Sequence, residues 1–318
     1  MNQPRRRRFV LATLAGAFLA LAITCLVAPD FALPVIWARS ALLWVFLPAW
    51  GLLGLALLRR DRVAATLAGA VVLCHVGWVL PTVIPDVSAQ APAAPRMRVV
   101  AANVLYVNET PEVLLEELLA TDADVVILEE VSPRWVALLD GDAARAVFPY
   151  RDVLGRDDAF GIALLSRHPI DRSELVDLVG VPMLDATVRV AGTELRVFGV
   201  HTLPPVDRAY ADVWRDQLAL LRDRVRAVDG PLVVAGDFNA TLFHDGIRDL
   251  QRAGVADVSD ALGRGLASTW PNGVFPAPPV ALDHVFVSPE LRPVRIHEGV
   301  GAGSDHRPLI VDLAPRGA

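Results

Sequence analysis

The sequence contains no lysine: its 30 basic side chains are all arginine, a bias of composition to which we attach no chemistry. Cysteine is almost as scarce. Cys25 and Cys74 both fall in the first third of the chain, so the remainder has neither a disulfide framework nor a thiol nucleophile. That is compatible with an oxidising compartment without requiring one. Positive charge is deficient in one part only. Residues 1–95 carry eight Arg against three Asp, whereas residues 96–318 carry 22 Arg against 33 acids, a net of −11. A duplex-binding surface should present a basic stripe. The acidic excess therefore argues against a long polyanion as partner, although Arg can still cluster locally.

What the chain has in excess is apolar. Hydrophobic residues make up 53% of it and the mean hydropathy is +0.42. The excess lies in three N-terminal runs. Arg5 to Arg8 precede Phe9–Ala28, an uncharged stretch of about 20 residues, enough to cross a bilayer core. It is longer than a signal-peptide core, and no small-x-small cleavage site follows. Ser40–Leu58 and Val63–Leu80, extendable to Ile84, are the other two runs, separated by Arg59-Arg60-Asp61-Arg62. Trp37, Trp44, Trp50 and Trp78 lie near run ends, where interfacial aromatics are favoured. His75 is read as a neutral, interfacial histidine. The two Arg clusters place the N-terminus and the second loop in the cytoplasm, so everything after Ile84 lies outside. The organisation expected is a three-span region over 1–84, a stiff Pro/Ala-rich linker over 85–95 and an extracytoplasmic catalytic domain over 96–318, in a bacterial-type cell membrane.

In the last part, short apolar strands repeatedly end in a polar residue of catalytic type. The clearest is Val233-Val234-Ala235-Gly236-Asp237-Phe238-Asn239. Residues two apart on an extended chain face the same way, so Asp237 and Asn239 are expected to point together into one cleft. A carboxylate beside an amide suits a phosphate ester held next to a divalent metal. Taken alone, the motif reads equally well as a strand followed by an Asx turn. But Asn103, Glu130, His201 and Asp283 lie at further strand ends, and Ser304-Asp305-His306 adds a turn of the same kind. So many such endings in one domain are hard to explain as turns. Catalytic groups gather where the strand ends of a layered α/β protein converge.

In this order the motifs resemble those of the endonuclease/exonuclease/phosphatase (DNase I-like) superfamily. Leu128-Glu129-Glu130-Val131 is similar to its Leu-Gln-Glu-Val, with Glu129 in place of Gln. Gly236-Asp237-Phe238-Asn239 and Ser304-Asp305-His306-Arg307-Pro308 match outright, and Leu282-Asp283-His284-Val285-Phe286-Val287 resembles its Ile-Asp-Tyr-Ile-Phe strand. The resemblance implies a four-layer α/β sandwich following the transmembrane helices, and a Mg²⁺-dependent hydrolase, with Mn²⁺ also admissible. It implies Glu130 as principal metal ligand with Asn103 and Asp305 near the ion. Asp237 would orient or deprotonate the attacking water, and Asn239 would hold the phosphoryl group. His306 would contact the phosphoryl oxygen or act as acid/base with Asp283 as its carboxylate partner, and His201 would stand on the opposite side of the phosphate. Glu129 alternates with Glu130 and is expected to face away as a supporting or surface acid. His168 is expected to be structural and His244 and His297 exposed. His284 should turn away from Asp283, and Trp270 fits core and cleft lip equally.

Three spans before such a domain also resemble the membrane-anchored VanJ-like and YafD-like groups. The first of these implies work on an undecaprenyl-pyrophosphate carrier or a related cell-envelope phosphate. With the anchor holding the cleft near the bilayer, a lipid-borne (polyprenyl) pyrophosphate or related cell-envelope phosphate ranks first as substrate, and the substrate partner expected is a phosphorylated lipid or small phosphoester. An extracellular nuclease or nucleotide phosphodiesterase ranks next, then a phospholipase C or sphingomyelinase. A non-catalytic membrane receptor ranks last, because no expected ligand is missing. The partners expected are the lipid bilayer and the phosphorylated substrate, with nucleic acid ranked lower and no protein partner.

Overall fold

The computed structural model describes residues 3–86, 97–190, 192–273 and 278–316. Most of the expected linker, the side chains of Arg5 to Arg8, and Arg96 lie outside the described residues.

The N-terminal part is helical: α1 (Gln3–Val27), α2 (Leu33–Ser40), α3 (Leu42–Phe46), α4 (Pro48–Leu58) and α5 (Arg62–Thr82). Two stretches, Phe9–Val27 and Arg62–Thr82, are long and apolar enough to cross a membrane. A third span exists if the bent pair Leu33–Ser40 and Leu42–Leu58 counts as one, with 87° between its halves. The second apolar run is thus not one helix from Ser40. The chain turns sharply at Ala41, and Leu42–Leu58 alone rises only about 25 Å at 1.5 Å per residue. Asp61 caps α5 by accepting from the Ala64 amide.

From Met97 onward the chain forms two six-stranded mixed sheets packed face to face, with helices on the two outer faces. The first sheet has the order β11 (Leu291–Glu298), β12 (Leu309–Pro315), β1 (Met97–Asn103), β2 (Val125–Glu129), β4 (Ile162–Ser166), β3 (Tyr150–Leu154). The second has β5 (Ile170–Leu178), β6 (Val181–Val190), β7 (Thr193–His201), β8 (Leu232–Asp237), β10 (Asp283–Val287), β9 (Ala256–Asp257). This is the four-layer α/β sandwich. The central strands read as unbroken apolar runs because both of their faces are covered. In β1 and β2, Val99, Ala101, Val125 and Ile127 join the core between the sheets, while Val100, Ala102, Val126 and Leu128 pack outward with α6 (Pro111–Leu119) and α7 (Pro133–Leu139). In β7 and β8, Val197, Val233 and Ala235 face inward, and Phe198, Val200 and Val234 pack against α9 (Arg208–Arg226) and α10 (Asp245–Arg252). α8 (Asp142–Val147) and α11 (Val258–Ala261) complete the set of helices.

The two parts touch. Ile36 of α2, fully buried, belongs to the same core as Phe198, Trp214 and Phe238, and Phe243 belongs to the core of the N-terminal helices. Trp37 Nε1 donates to the Pro205 carbonyl at 3.1 Å and Trp44 Nε1 to the Pro279 carbonyl at 2.9 Å. The chain leaving α5 is also docked: the Gly265 amide donates to Thr82 O and the Asp86 amide to Ala261 O. Trp50 and Trp78 stay within the helices. Trp50 Nε1 donates to His75 Nδ1 at 3.1 Å, and Trp78 packs on Phe46. His75 is buried between helices.

Candidate active site

Strand register lines up the site. In the second sheet His201 lies opposite Asp237 across the parallel β7–β8 ladder, and Asp237 lies opposite Asp283 across β8–β10. In the first sheet Asn103 lies opposite Glu129. All five share the parity of the inward-facing residues of their strands, so they point into the gap between the sheets at one end of the sandwich.

Hydrogen bonds tie them together. Asn103 Nδ2 donates to Glu130 Oε1 at 3.0 Å and to Asp237 Oδ2 at 3.2 Å. His306 Nδ1 is bonded to Asp283 Oδ2 at 2.8 Å, and its Nε2 lies 3.6 Å from Asp237 Oδ2. His201 Nε2 lies 3.8 Å from the same Asp237 oxygen. The closing motif is latched onto the end of β1, because Ser304 Oγ donates to Asn103 O at 2.7 Å and accepts from the His306 amide at 3.1 Å. Asp305 Oδ2 accepts from Trp270 Nε1 at 3.1 Å, while its other oxygen is buried without a partner. Trp270 is therefore a half-buried residue whose indole holds a site carboxylate.

Two readings based on alternation are corrected. Glu129, not Glu130, has the inward parity of Val125 and Ile127, and it is fully buried beneath the site with neither carboxylate oxygen partnered. Glu130 leaves the strand with a left-handed backbone, φ +62°, which swings its carboxylate back over Asn103. The Tyr106 amide donates to its other oxygen at 3.1 Å. Similarly, Asn239 does not continue an extended chain. Its φ is +46°, its amide donates to Asp237 Oδ1 at 2.8 Å, and its Nδ2 donates to Thr202 O at 2.9 Å. The Asp237 side chain is joined to the Asn239 backbone by an Asx turn, and strand alternation does not apply.

Charge in this pocket is strongly perturbed. Burial alone would lower the His306 pKa, but Asp283 and Asp237 outweigh it and push it up to about 10. Burial, reinforced by Asp283 and Asp237, holds the Glu129 carboxyl well above the usual range. Asp237 is raised by burial and pulled back by His306.

The donor set fits a divalent cation. Glu130, Asn103 and Asp305 offer oxygens, one of them a buried carboxylate oxygen with nothing to bind, and Mg²⁺ needs only one or two carboxylates because it keeps several waters. Asp237, Asp283 and His306 also bring ligand atoms within 4.8 Å of one another. We favour the Glu130 side, since a protonated His306 repels a cation.

The other histidines divide. His168 binds Asp124 at 2.7 Å, as a structural residue would. His284 is bonded to Asp257 and the Ala240 carbonyl, away from the site. His297 is half-buried, and His244, expected to be exposed, is fully buried against the Ile36 carbonyl of α2. It looked exposed because its cover comes from some 200 residues earlier in the chain. Asn272 was not foreseen at all. Its Nδ2 reaches the carbonyls of Val300, Gly301 and Ser304 and braces the loop that carries Asp305 and His306. A lone Asn in a Pro-Asn-Gly turn carries no signal for that.

The profile described as "Endonuclease/Exonuclease/phosphatase family" matches residues 100–306. Among solved structures, a humanized D. rerio TDP2 is 20% identical with a TM-score of 0.58, over 69% of this chain and 98% of that one. D. rerio TDP2 complexed with single strand DNA product is 22% identical, with the same score and coverage. An endonuclease/exonuclease/phosphatase from Beutenbergia cavernae DSM 12333 is 21% identical with a TM-score of 0.55, over 70% and 72% of the two chains. At these identities the likeness is one of fold. No curated protein matches the sequence.

Proposed function

The chain belongs to the endonuclease/exonuclease/phosphatase family, whose members hydrolyse phosphoester bonds with a divalent metal, and from that premise we propose a membrane-anchored phosphoesterase acting on a lipid-borne phosphate, most favourably a polyprenyl pyrophosphate. One observation carries the lipid reading. The loops that continue β7 and β8, and the one that enters β10, rest on the bent helix pair that is the third candidate span: Pro205 on Trp37, Thr241 on Arg39 and Pro279 on Trp44. The end of the sandwich that holds the site is thus held against the anchor, and a substrate embedded in the same bilayer meets it at high effective concentration. The acidic charge of residues 96–318 disfavours long polyanions but leaves room for a single pyrophosphate.

Glu130, Asn103 and Asp305 would hold Mg²⁺ or Mn²⁺, which when bound supplies Lewis-acid polarisation of the phosphoryl group. The chain's own groups do the rest. Asp237, fixed by Asn103 and the Asn239 amide, is placed to orient the attacking water and take its proton. His306, held by Asp283 through Nδ1, presents a charged Nε2–H to a phosphoryl or leaving oxygen. His201 supports the opposite side, and Asn239 supplies a neutral amide. The Arg distribution supports a catalytic part outside the cytoplasm.

The test is a substrate panel on full-length protein in detergent with Mg²⁺: polyprenyl pyrophosphate and phospholipids in vesicles beside plasmid and single-stranded DNA. EDTA should abolish turnover and Mg²⁺ or Mn²⁺ should restore it. Faster degradation of DNA than of every lipid phosphate would favour the nuclease reading instead.

A further inference from the structure

The tightest link between the helices and the catalytic sandwich is a guanidinium. Arg39, at the end of α2, is 2% exposed, and all of its nitrogens are engaged. Nη1 bonds Asp30 Oδ1 and Asp245 Oδ2, each at 2.7 Å. Nε and Nη2 reach Cys25 O at 3.3 and 2.8 Å, and Nη2 also reaches Ala28 O at 3.0 Å. Asp30, itself 4% exposed, accepts the Asp245 amide on its second oxygen at 2.7 Å. The Arg39 carbonyl accepts from Thr241 Oγ1 at 3.2 Å. His244 completes the knot: its Nδ1 accepts the Thr241 amide at 2.9 Å, which leaves Nε2–H to donate to Ile36 O at 3.1 Å.

The bonds to Cys25, Ala28 and Asp30 hold the guanidinium to the turn after α1, while those to Asp245, Thr241 and His244 land on Thr241–Asp245, a loop that starts two residues after Asn239. Asn239 in turn fixes Asp237 through its amide. The chain has little slack between Arg39 and the reacting carboxylate. A planar, five-donor group that satisfies two carboxylates and backbone carbonyls together enforces one geometry, which a flexible ammonium does not. Removing it would leave Asp30 as a buried, unpaired charge.

We infer that Arg39 is a positioning residue for the active site: through Asp30 and Asp245 it clamps the loop that sets Asn239 and Asp237, so that the segment before the second apolar run is part of the catalytic unit and not only an anchor. This rests on the assignment of Asp237 and Asn239 to the site and is independent of which phosphoester is the substrate.

Full-length protein in detergent carrying Arg39→Ala, Arg39→Lys or Asp245→Asn is assayed with Mg²⁺ on bis(p-nitrophenyl) phosphate, a water-soluble diester that needs no membrane. Amide hydrogen exchange is followed in parallel. A misplaced catalytic group should lower kcat about 10- to 100-fold for Arg39→Ala with KM changed less than about threefold, and Arg39→Lys should recover part of the loss. Exchange should quicken over 238–245 and stay unchanged over 99–104 and 125–130. Should Arg39→Ala fail to fold, Asp245→Asn carries the same expectation in milder form, since its side chain is 36% exposed. Unchanged exchange over 238–245, faster exchange there with unaltered kcat, or equal quickening across both sheets would each overturn the inference. If the wild type is inactive on the diester, the exchange pattern decides this inference, and the proposed function is decided by the lipid panel.

Discussion

Removing the His306 imidazole leaves Asp237 and Asp283 as buried carboxylates with their cation gone. His306→Ala and Asp237→Ala should each lower kcat by on the order of 10²–10⁴ with the fold retained, the range for a lost acid–base or electrostatic group. Steady-state kinetics with circular dichroism checks this, and near-normal turnover in His306→Ala would refute the assignment. The same residue makes stability depend on pH. Its folded pKa of about 10 lies above the unfolded value of about 6.5, so its contribution is complete below pH 6.5 and lost as pH rises through 10. Glu129 acts in the same direction at lower pH. Its folded pKa is raised, so burying it costs stability once the pH exceeds the unfolded carboxyl value of about 4.3. Glu129→Gln keeps the shape without the ionisation and should flatten the fall of thermal midpoint on the acidic side. The alkaline fall should be reduced in His306→Gln and not in Glu129→Gln, with His284, which burial lowers but Asp257 raises overall, accounting for part of what remains. A wild-type midpoint that rises from pH 5 to 9 in EDTA would contradict both.

At the level of elements, β8 depends on having no side chain at position 236. Gly236 has φ +139°, and a Cβ there would lie 2.0 Å from Val200 O on β7 and 2.6 Å from Glu129 Oε1. Gly236→Ala must part the β7–β8 ladder or shift the buried acid, at a cost of about 2–3 kcal/mol or more. A denaturation curve matching wild type would contradict this. α2 offers a second test. Ile36→Ala empties a place in the core around Trp214 and Phe198, and should destabilise the sandwich by about 2–5 kcal/mol although it lies outside the residues matched by the family profile. The strands carrying the site were legible because their apolar runs are covered on both faces. The outer strands β3, β5 and β11 were not foreseen, because mixed polar residues such as those of Ile170–Leu178 give no clean alternation. The turn at Ala41 was equally invisible, since an apolar run has the same hydropathy whether it is straight or bent.

For the whole molecule, a phosphatase-type reporter fused after Ala318 should be active only outside the cytoplasm, and strong activity of a cytoplasm-only reporter there would reverse the orientation. A fragment starting at Met97 lacks Ile36, Trp37, Arg39 and Trp44, all of which reach into the sandwich or its loops. It should aggregate or melt well below the full chain in calorimetry, whereas a fully stable fragment would show that the two parts only touch. The sequence by itself carried the apolar runs and the polar residues that end apolar strands, because each is a local pattern, and the layered fold followed from the resemblance of the ordered motifs to a known family. The resemblance already singled out Glu130, but only the tertiary structure decided that Glu129 is buried beneath the site while Glu130 swings back over Asn103. That choice turns on one left-handed residue at a strand end, where alternation no longer applies. The tertiary structure also decided that Arg39 and His244 belong together. Contacts between residues some 200 positions apart are settled by packing and by the need to pair buried polar groups, and neither leaves a trace in local order.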